Sequence, residues 1–338
     1  MTALLDRAPV RPGVLHATPW VAATWAIVFL ALSVLALVGR TSHPWSPEAA
    51  SPLGGLTGAQ MSWALVATAT LVLAAQVAAA LARTPASLRL AGWLLVGLGI
   101  LVTVAISDVR ALAFLGYLPM SLLALVGLGP AAGHLDISIF IDSAAAMGHA
   151  VGGVAIAVAG FRVFERATTA AGGGGPGDLA RWVRWGPAAV GVSVVVPLLY
   201  AVTRLAWALD IPLGIRRSML EDLGSAKYAG LGLALFAVVG AWLTTGLQAR
   251  WGEVFWDWVP RVGGRPVPIA LALVPGLLVA GAVMSAGLSF WRLVLVGELA
   301  KVPGATSDWA AWAPELLWPV WGAALAVACL AYVARRTA

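Results

Sequence analysis

Residues 111–129, ALAFLGYLPMSLLALVGLG, are apolar enough to cross a bilayer, and whether they cross decides the architecture of the whole chain. Leu118-Pro119 interrupts the run, and a proline inside a helix removes one backbone hydrogen bond. Eight other runs have the length and apolarity of a span: about 19–39, 59–82, 90–107, 139–161, 186–208, 227–248, 267–289 and 313–334. If 111–129 does not cross and the N-terminus is cytoplasmic, the segments 1–18, 83–89, 162–184, 249–266 and 335–338 face the cytoplasm. They hold 13 of the 21 basic residues but only five of the 15 acidic ones. Letting 111–129 cross would put the basic loops of one half on the wrong side. The reading is therefore an all-α, polytopic protein of the plasma membrane. It has eight spans, both termini cytoplasmic, and a broken, re-entrant or surface-lying outer segment at 111–129.

Composition points the same way. The chain is 61% hydrophobic and 11% charged, with a mean hydropathy of +0.91. A soluble domain carries roughly 25% charged residues, so a soluble enzyme, a coiled coil and a disordered chain are excluded. A net charge of +6 would suit nucleic acid, but arginines at the ends of apolar runs orient spans, and no nucleic-acid partner is expected. Cys329 is the single cysteine, so there is no disulfide and no CxxC pair; His16, His43, His134 and His149 are too scattered for a metal site. Neither metal nor cofactor is expected. Arg7 and Arg11 precede 19–39 without a small-residue cleavage site, so that run reads as an uncleaved first span. Trp20, Trp45, Trp185, Trp207, Trp291 and Trp312 fall near span ends, where indoles anchor in the headgroup layer. Residues 250–258, RWGEVFWDW, read as a segment lying along the cytoplasmic interface.

The two halves resemble each other. VGGVAIAVAGFRVFER (151–166) matches WGAALAVACLAYVARR (321–336) in small-residue spacing and basic ending. Ser107-Asp108-Val109-Arg110 lines up with Ser289-Phe290-Trp291-Arg292, and Ala82-Arg83 with Ala249-Arg250. These matches divide the chain into a first four-span repeat (1–170), a glycine-rich cytoplasmic linker (171–183) and a second, parallel repeat (184–338). In that register 111–129 corresponds to 293–311, which is too polar to span.

Three stretches carry a family resemblance: TRLAWALDIPLGI (203–215), RWGEVFWDWVPRVGGRPVP (250–268) and ELLWPVWGAALAVACLAYVARR (315–336). They resemble a group of uncharacterised multi-pass integral membrane proteins of actinobacteria. The likeness covers most of the second half, implies location and fold, and brings no activity. Where Asp210 stands, the family pattern has glycine.

Ionisable groups within spans are the functional candidates, because each costs about 2.5–3.5 kcal/mol at mid-bilayer on insertion scales. Asp142 and His149 lie two turns apart on one face of the fourth span, and Tyr200, Arg204 and Trp207 share a face of the fifth. Lys227 opens the sixth span, and Arg110 and Arg292 are the repeat-related pair at the outer level. Together they point to a polar cavity opening outward between the repeats. Arg204, Tyr200, Lys227, Arg110 and Arg292 would hold a small anionic or amphipathic ligand, and Asp142 with His149 would couple protons. The competing roles are structural: Arg204 snorkelling to the headgroups, Arg110 and Arg292 as anchors, His149 as a helix contact. Asp-rich diphosphate motifs, an activated serine with a facing histidine, HExxH, paired haem histidines and Walker glycines are all missing. The leading expectation is a carrier or binding protein. The alternatives are a non-catalytic subunit with a protein partner, and an enzyme using Asp142 or Asp210 on a hydrophobic substrate at the outer leaflet.

Overall fold

The computed structural model describes residues 17–45, 51–127, 137–172 and 182–337; side chains at 117, 119–121, 123–125 and 137–142 lie outside this description. Ten α-helices are present among these residues: α1 (Thr18–Leu37), α2 (Gly58–Leu81), α3 (Pro85–Ile100), α4 (Val109–Leu125), α5 (Ile137–Ala170), α6 (Gly186–Ala208), α7 (Arg217–Leu223), α8 (Ala226–Thr245), α9 (Ile269–Leu295) and α10 (Trp318–Thr337). Eight are long and apolar enough to span a membrane, and they fall on the eight runs read from the sequence. The chain is a multi-pass membrane protein. Several spans start earlier or end later than the apolar runs because local chemistry sets their ends. Thr57 caps α2 by accepting from the Gln60 N–H while Gln60 Oε1 takes the Thr57 N–H at 2.9 Å, and Thr84 with Ser87 does the same for α3.

α4 is a continuous helix of 17 residues that runs through Leu118-Pro119, so the break expected there is not observed. At about 25 Å it is shorter than a ~30 Å hydrocarbon core. It packs on α5 and α9. The glycine-rich linker expected at 171–183 lies mostly outside the described residues, as do Arg7, Arg11, His16 and His134.

Packing divides the helices into two groups. In the first, α1 packs on α2, α2 on α3, α3 on α5, and α5 back on α1. In the second, α8 packs on α6, α6 on α10, and α10 on α9. Glycine allows the closest approaches. Gly92 and Gly99 on α3 face Gly160 and Gly153 on α5, and a Cβ at Gly99 would meet Gly153 O at 2.6 Å and Ala157 N at 2.5 Å. Apolar association has little driving force inside lipid, so such contacts rest on dispersion between backbones brought close together.

The groups meet where α3 changes form. Leu101–Ile106 is a π-helical turn, a rare form that sequence periodicity does not reveal. The Thr103 hydroxyl donates to Gly99 O at 2.8 Å, and its side chain is wedged between Gly153 of α5 and Gly281 of α9, neither of which has room for a Cβ. One turn further along, the Ser285 hydroxyl donates to Ser107 O (2.9 Å) and the Ser107 hydroxyl to Ala146 O (3.1 Å). Hydroxyl-to-carbonyl bonds thus tie α9, α3 and α5 together at the junction.

Candidate functional site

The most densely partnered charge within the spans is Arg204. α6 places it about one turn from the C-terminal end of its span. The Pro314–Leu317 turn that leads into α10 places Glu315 opposite it. Arg204 Nη2 donates to Glu315 Oε1 at 2.7 Å, and Nη1 to Ala310 O at 2.9 Å and Thr203 Oγ1 at 3.2 Å. Its guanidinium lies 4.5 Å from the Tyr200 ring centroid and 4.2 Å from that of Trp207. The face read from the sequence is real, and its aromatic members hold the cation. Arg204 is 8% exposed and Glu315 3%. Burial at this level is tolerable only because the charges pair and the remaining donors find carbonyls. Glu315 also sits in the first turn leading into α10, where the helix dipole favours a negative charge. Its second oxygen, Oε2, is buried without a hydrogen-bond partner.

The loops at this end of the spans close over this node. Arg216 binds Asp308 through its Nη2 at 2.7 Å and its backbone N–H at 2.7 Å, drawing the α6–α7 loop onto the α9–α10 loop. The Arg216 bonds hold the Asp308 carboxyl below the usual carboxylate range, and Asp308 raises Arg216 in turn. Ala310 N–H donates to Gly214 O at 3.1 Å, and the Trp207 indole to Leu213 O at 2.9 Å. Lys227 donates to Asp210 at 2.5 Å, and Gly230, one turn further along α8, lies against the Arg204 stem. Asp210 has φ +59, in the left-handed region that glycine occupies without strain.

His149 belongs to a separate node in the first group. It is fully buried on α5, with its ring 4.2 Å from Phe29 and 4.8 Å from Trp45. The Trp25 indole donates to His149 Nδ1 at 3.3 Å. The ring proton of neutral His149 is therefore on Nε2, which has no partner. Arg110 lies 4.1 Å above the other side of this cluster, on Trp45, and pairs with buried Asp108 at 2.6 Å. Arg292 lies near Gly55 in the α1–α2 loop.

Arg204 thus packs on Tyr200, and α8, which carries Lys227, touches its stem at Gly230; His149 and Arg110 both lie against Trp45, and Arg292 lies by Gly55. Val196, Val283, Ala286 and Trp318 form an apolar cluster, with Val109 and Leu112 of α4 and Tyr200 of α6 against it. The Asp142 side chain lies outside the described residues. Two grooves on the described surface involve none of the seven candidates. One, about 350 Å³, is lined by Trp182, Trp185, Val192 and Val327; the other, about 290 Å³, by Trp20, Gln76, Leu95, Val163 and Arg166. Trp45 and Trp207, expected as headgroup anchors, are buried within the two nodes.

Sequence reasoning missed Glu315, Asp108 and Asp308 as partners. Glu315 carries a local signal, an acid in the first turn of the last span, but its arginine is 111 positions away. Among the described residues there is no cluster of three or more His, Cys, Asp or Glu suited to a metal ion. Comparison with family models, with curated proteins and with solved structures returns no match for the chain.

Proposed function

We propose that the protein is a non-catalytic membrane subunit, a rigid helical platform for a protein partner. It lies in a bacterial plasma membrane with both termini cytoplasmic. The observation that carries this reading is the state of Arg204. Its donors go to Glu315, Ala310 and Thr203, and aromatic rings lie against its guanidinium, so little of it is left to hold a ligand. Lys227, Arg110 and Arg216 are likewise paired with Asp210, Asp108 and Asp308. Charges matched within the protein brace helices and loops.

Two parallel repeats fit this platform. α1 on α2 is matched by α6 on α8, α3 on α5 by α9 on α10, and α1 on α5 by α6 on α10. The α2–α3 contact has no comparable α8–α9 counterpart, which leaves the second group more open. The test is to extract the tagged full chain from its own membranes in polymer nanodiscs. One protein partner at fixed stoichiometry, retained by an Arg204→Met/Glu315→Leu variant, is the expected result. The chain alone under every extraction condition would overturn the reading.

One observation favours a second reading, a carrier for a small anionic or amphipathic molecule. The Arg204–Glu315 pair is incompletely satisfied, since Glu315 Oε2 is buried without a partner, and opening it would free a guanidinium that lies on Tyr200 and against α8, the helix of Lys227. In that reading these groups would take the ligand once the Arg204 pair opened, and His149 with Asp142 would handle protons.

A further inference from the structure

The connection from α8 to α9 carries a feature that neither buried node uses. After α8 the chain folds into a hairpin in which Phe255 N–H donates to Arg265 O (3.0 Å), Gly264 N–H to Phe255 O (3.1 Å) and Val267 N–H to Glu253 O (2.8 Å). Three side chains of α10 strap it down. The Tyr332 hydroxyl donates to Gly252 O at 2.7 Å, Arg336 to Val267 O at 2.9 Å, and Arg335 pairs with Glu253 at 3.0 Å. The two arginines that close the chain are therefore hairpin clamps.

On this fixed support four indoles form a ladder. Trp242 and Trp251 stack with centroids 5.0 Å apart, Trp251 and Trp256 at 5.5 Å, and Trp256 and Trp258 at 5.6 Å, all within 24° of parallel. Trp251 lies against Gly246, where a Cβ would come within 2.5 Å of its ring. The first rung is in the last turn of a membrane-spanning helix, and the last, Trp258, is 75% exposed. Arg250, Arg261 and Arg265 are exposed on the same hairpin, and none has an ion-pair partner among the described residues. Glu253 is engaged by Arg335, which leaves Asp257 as the hairpin's other acid.

We infer that this hairpin is a binding site for anionic phospholipid. The indoles occupy the headgroup layer with their apolar rings toward the acyl chains, and the three arginines take the phosphates. Two observations commit the ladder to lipid and not to a soluble protein. It is continuous with a transmembrane helix through Trp242, and the three arginines beside it have no ion-pair partner among the described residues. The site stands whichever leaflet the hairpin meets, and does not depend on the proposed function.

The test reconstitutes the full chain in phosphatidylcholine vesicles and measures the motionally restricted fraction of spin-labelled phosphatidylglycerol against spin-labelled phosphatidylcholine. The wild type should select phosphatidylglycerol on the order of fivefold or more. An Arg250→Gln/Arg261→Gln/Arg265→Gln variant should lose most of that selectivity, while Arg83→Gln/Arg89→Gln on the α2–α3 side keeps it. Trp256→Ala/Trp258→Ala should lower binding of both lipids. Selectivity unchanged in the triple variant, or displaced by inorganic phosphate, overturns the site. So does absent selectivity in a wild-type chain whose hairpin cross-links to a soluble protein.

Discussion

Replacing Glu315 by alanine strips the single carboxylate from a buried guanidinium. Arg204 Nη2 then loses its 2.7 Å bond, and the cation keeps Ala310 O, Thr203 Oγ1 and two ring contacts. Removing one partner of a buried pair costs about 3–5 kcal/mol, mostly from the charge left behind. Glu315→Gln retains an acceptor for Nη2 but not the charge, and should cost about 1.5–3 kcal/mol. Arg204→Met/Glu315→Leu removes both charges and should return to within about 1 kcal/mol of wild type, since apolar replacement of a whole buried pair is often near neutral. The order of stability is thus wild type and double variant, then glutamine, then alanine. Unfolding of the purified chain in mixed micelles, followed by circular dichroism, gives the double-mutant cycle. A coupling of about 2 kcal/mol or more is expected; one below about 0.5 kcal/mol would mean that the two side chains act independently and would refute the reasoning.

Other consequences can be checked in the same preparations. Gly153→Ala puts a methyl group against Thr103 and Gly99 O, and should cost about 1–3 kcal/mol, whereas Gly148→Ala on the same helix meets open space and should cost nothing or stabilise; their melting temperatures should separate accordingly. The Arg216–Asp308 clamp depends on a carboxyl held below its ordinary range, so its contribution is present above the unfolded-state value and is lost as pH falls through the lower folded one. Hydrogen exchange of residues 209–225 should therefore stay slow through the usual carboxylate range, and Asp308→Asn should abolish that protection at every pH. Tyr332→Phe leaves Gly252 O without its donor, costs about 1 kcal/mol, and should speed exchange in residues 250–267 more than elsewhere. Reporter fusions at Ala86 and Gly175 should read cytoplasmic and one at Pro130 external; a cytoplasmic signal at Pro130 would mean that α4 crosses.

The spans were legible because each is a run of about 20 apolar residues in a chain with few others, and hydropathy reads such runs directly. The cation–aromatic face of α6 was legible too, since Tyr200, Arg204 and Trp207 follow helical spacing. Partners distant in sequence were not. Glu315, Asp308 and Trp25 reach Arg204, Arg216 and His149 only through the packing of separate helices and loops, and no local period encodes that. Seven polar candidates were grouped by their depth along the spans, and depth alone does not fix azimuth: Arg204 packs on Tyr200, whereas His149 packs on Phe29 and Trp45. Continuity of α4 through Pro119 was missed because a proline penalty of about 3 kcal/mol is an average, and packing on α5 and α9 favours the helix here.

The central claim is that the charges within the spans are matched to protein partners and brace the fold. Saturable binding of small carboxylate and phosphate anions, measured by titration calorimetry on the purified chain in lipid nanodiscs, tests it most directly. The account predicts no saturable heat that depends on Arg204. A saturable isotherm in the wild type that disappears in Arg204→Gln, with the fold intact by circular dichroism, would contradict it.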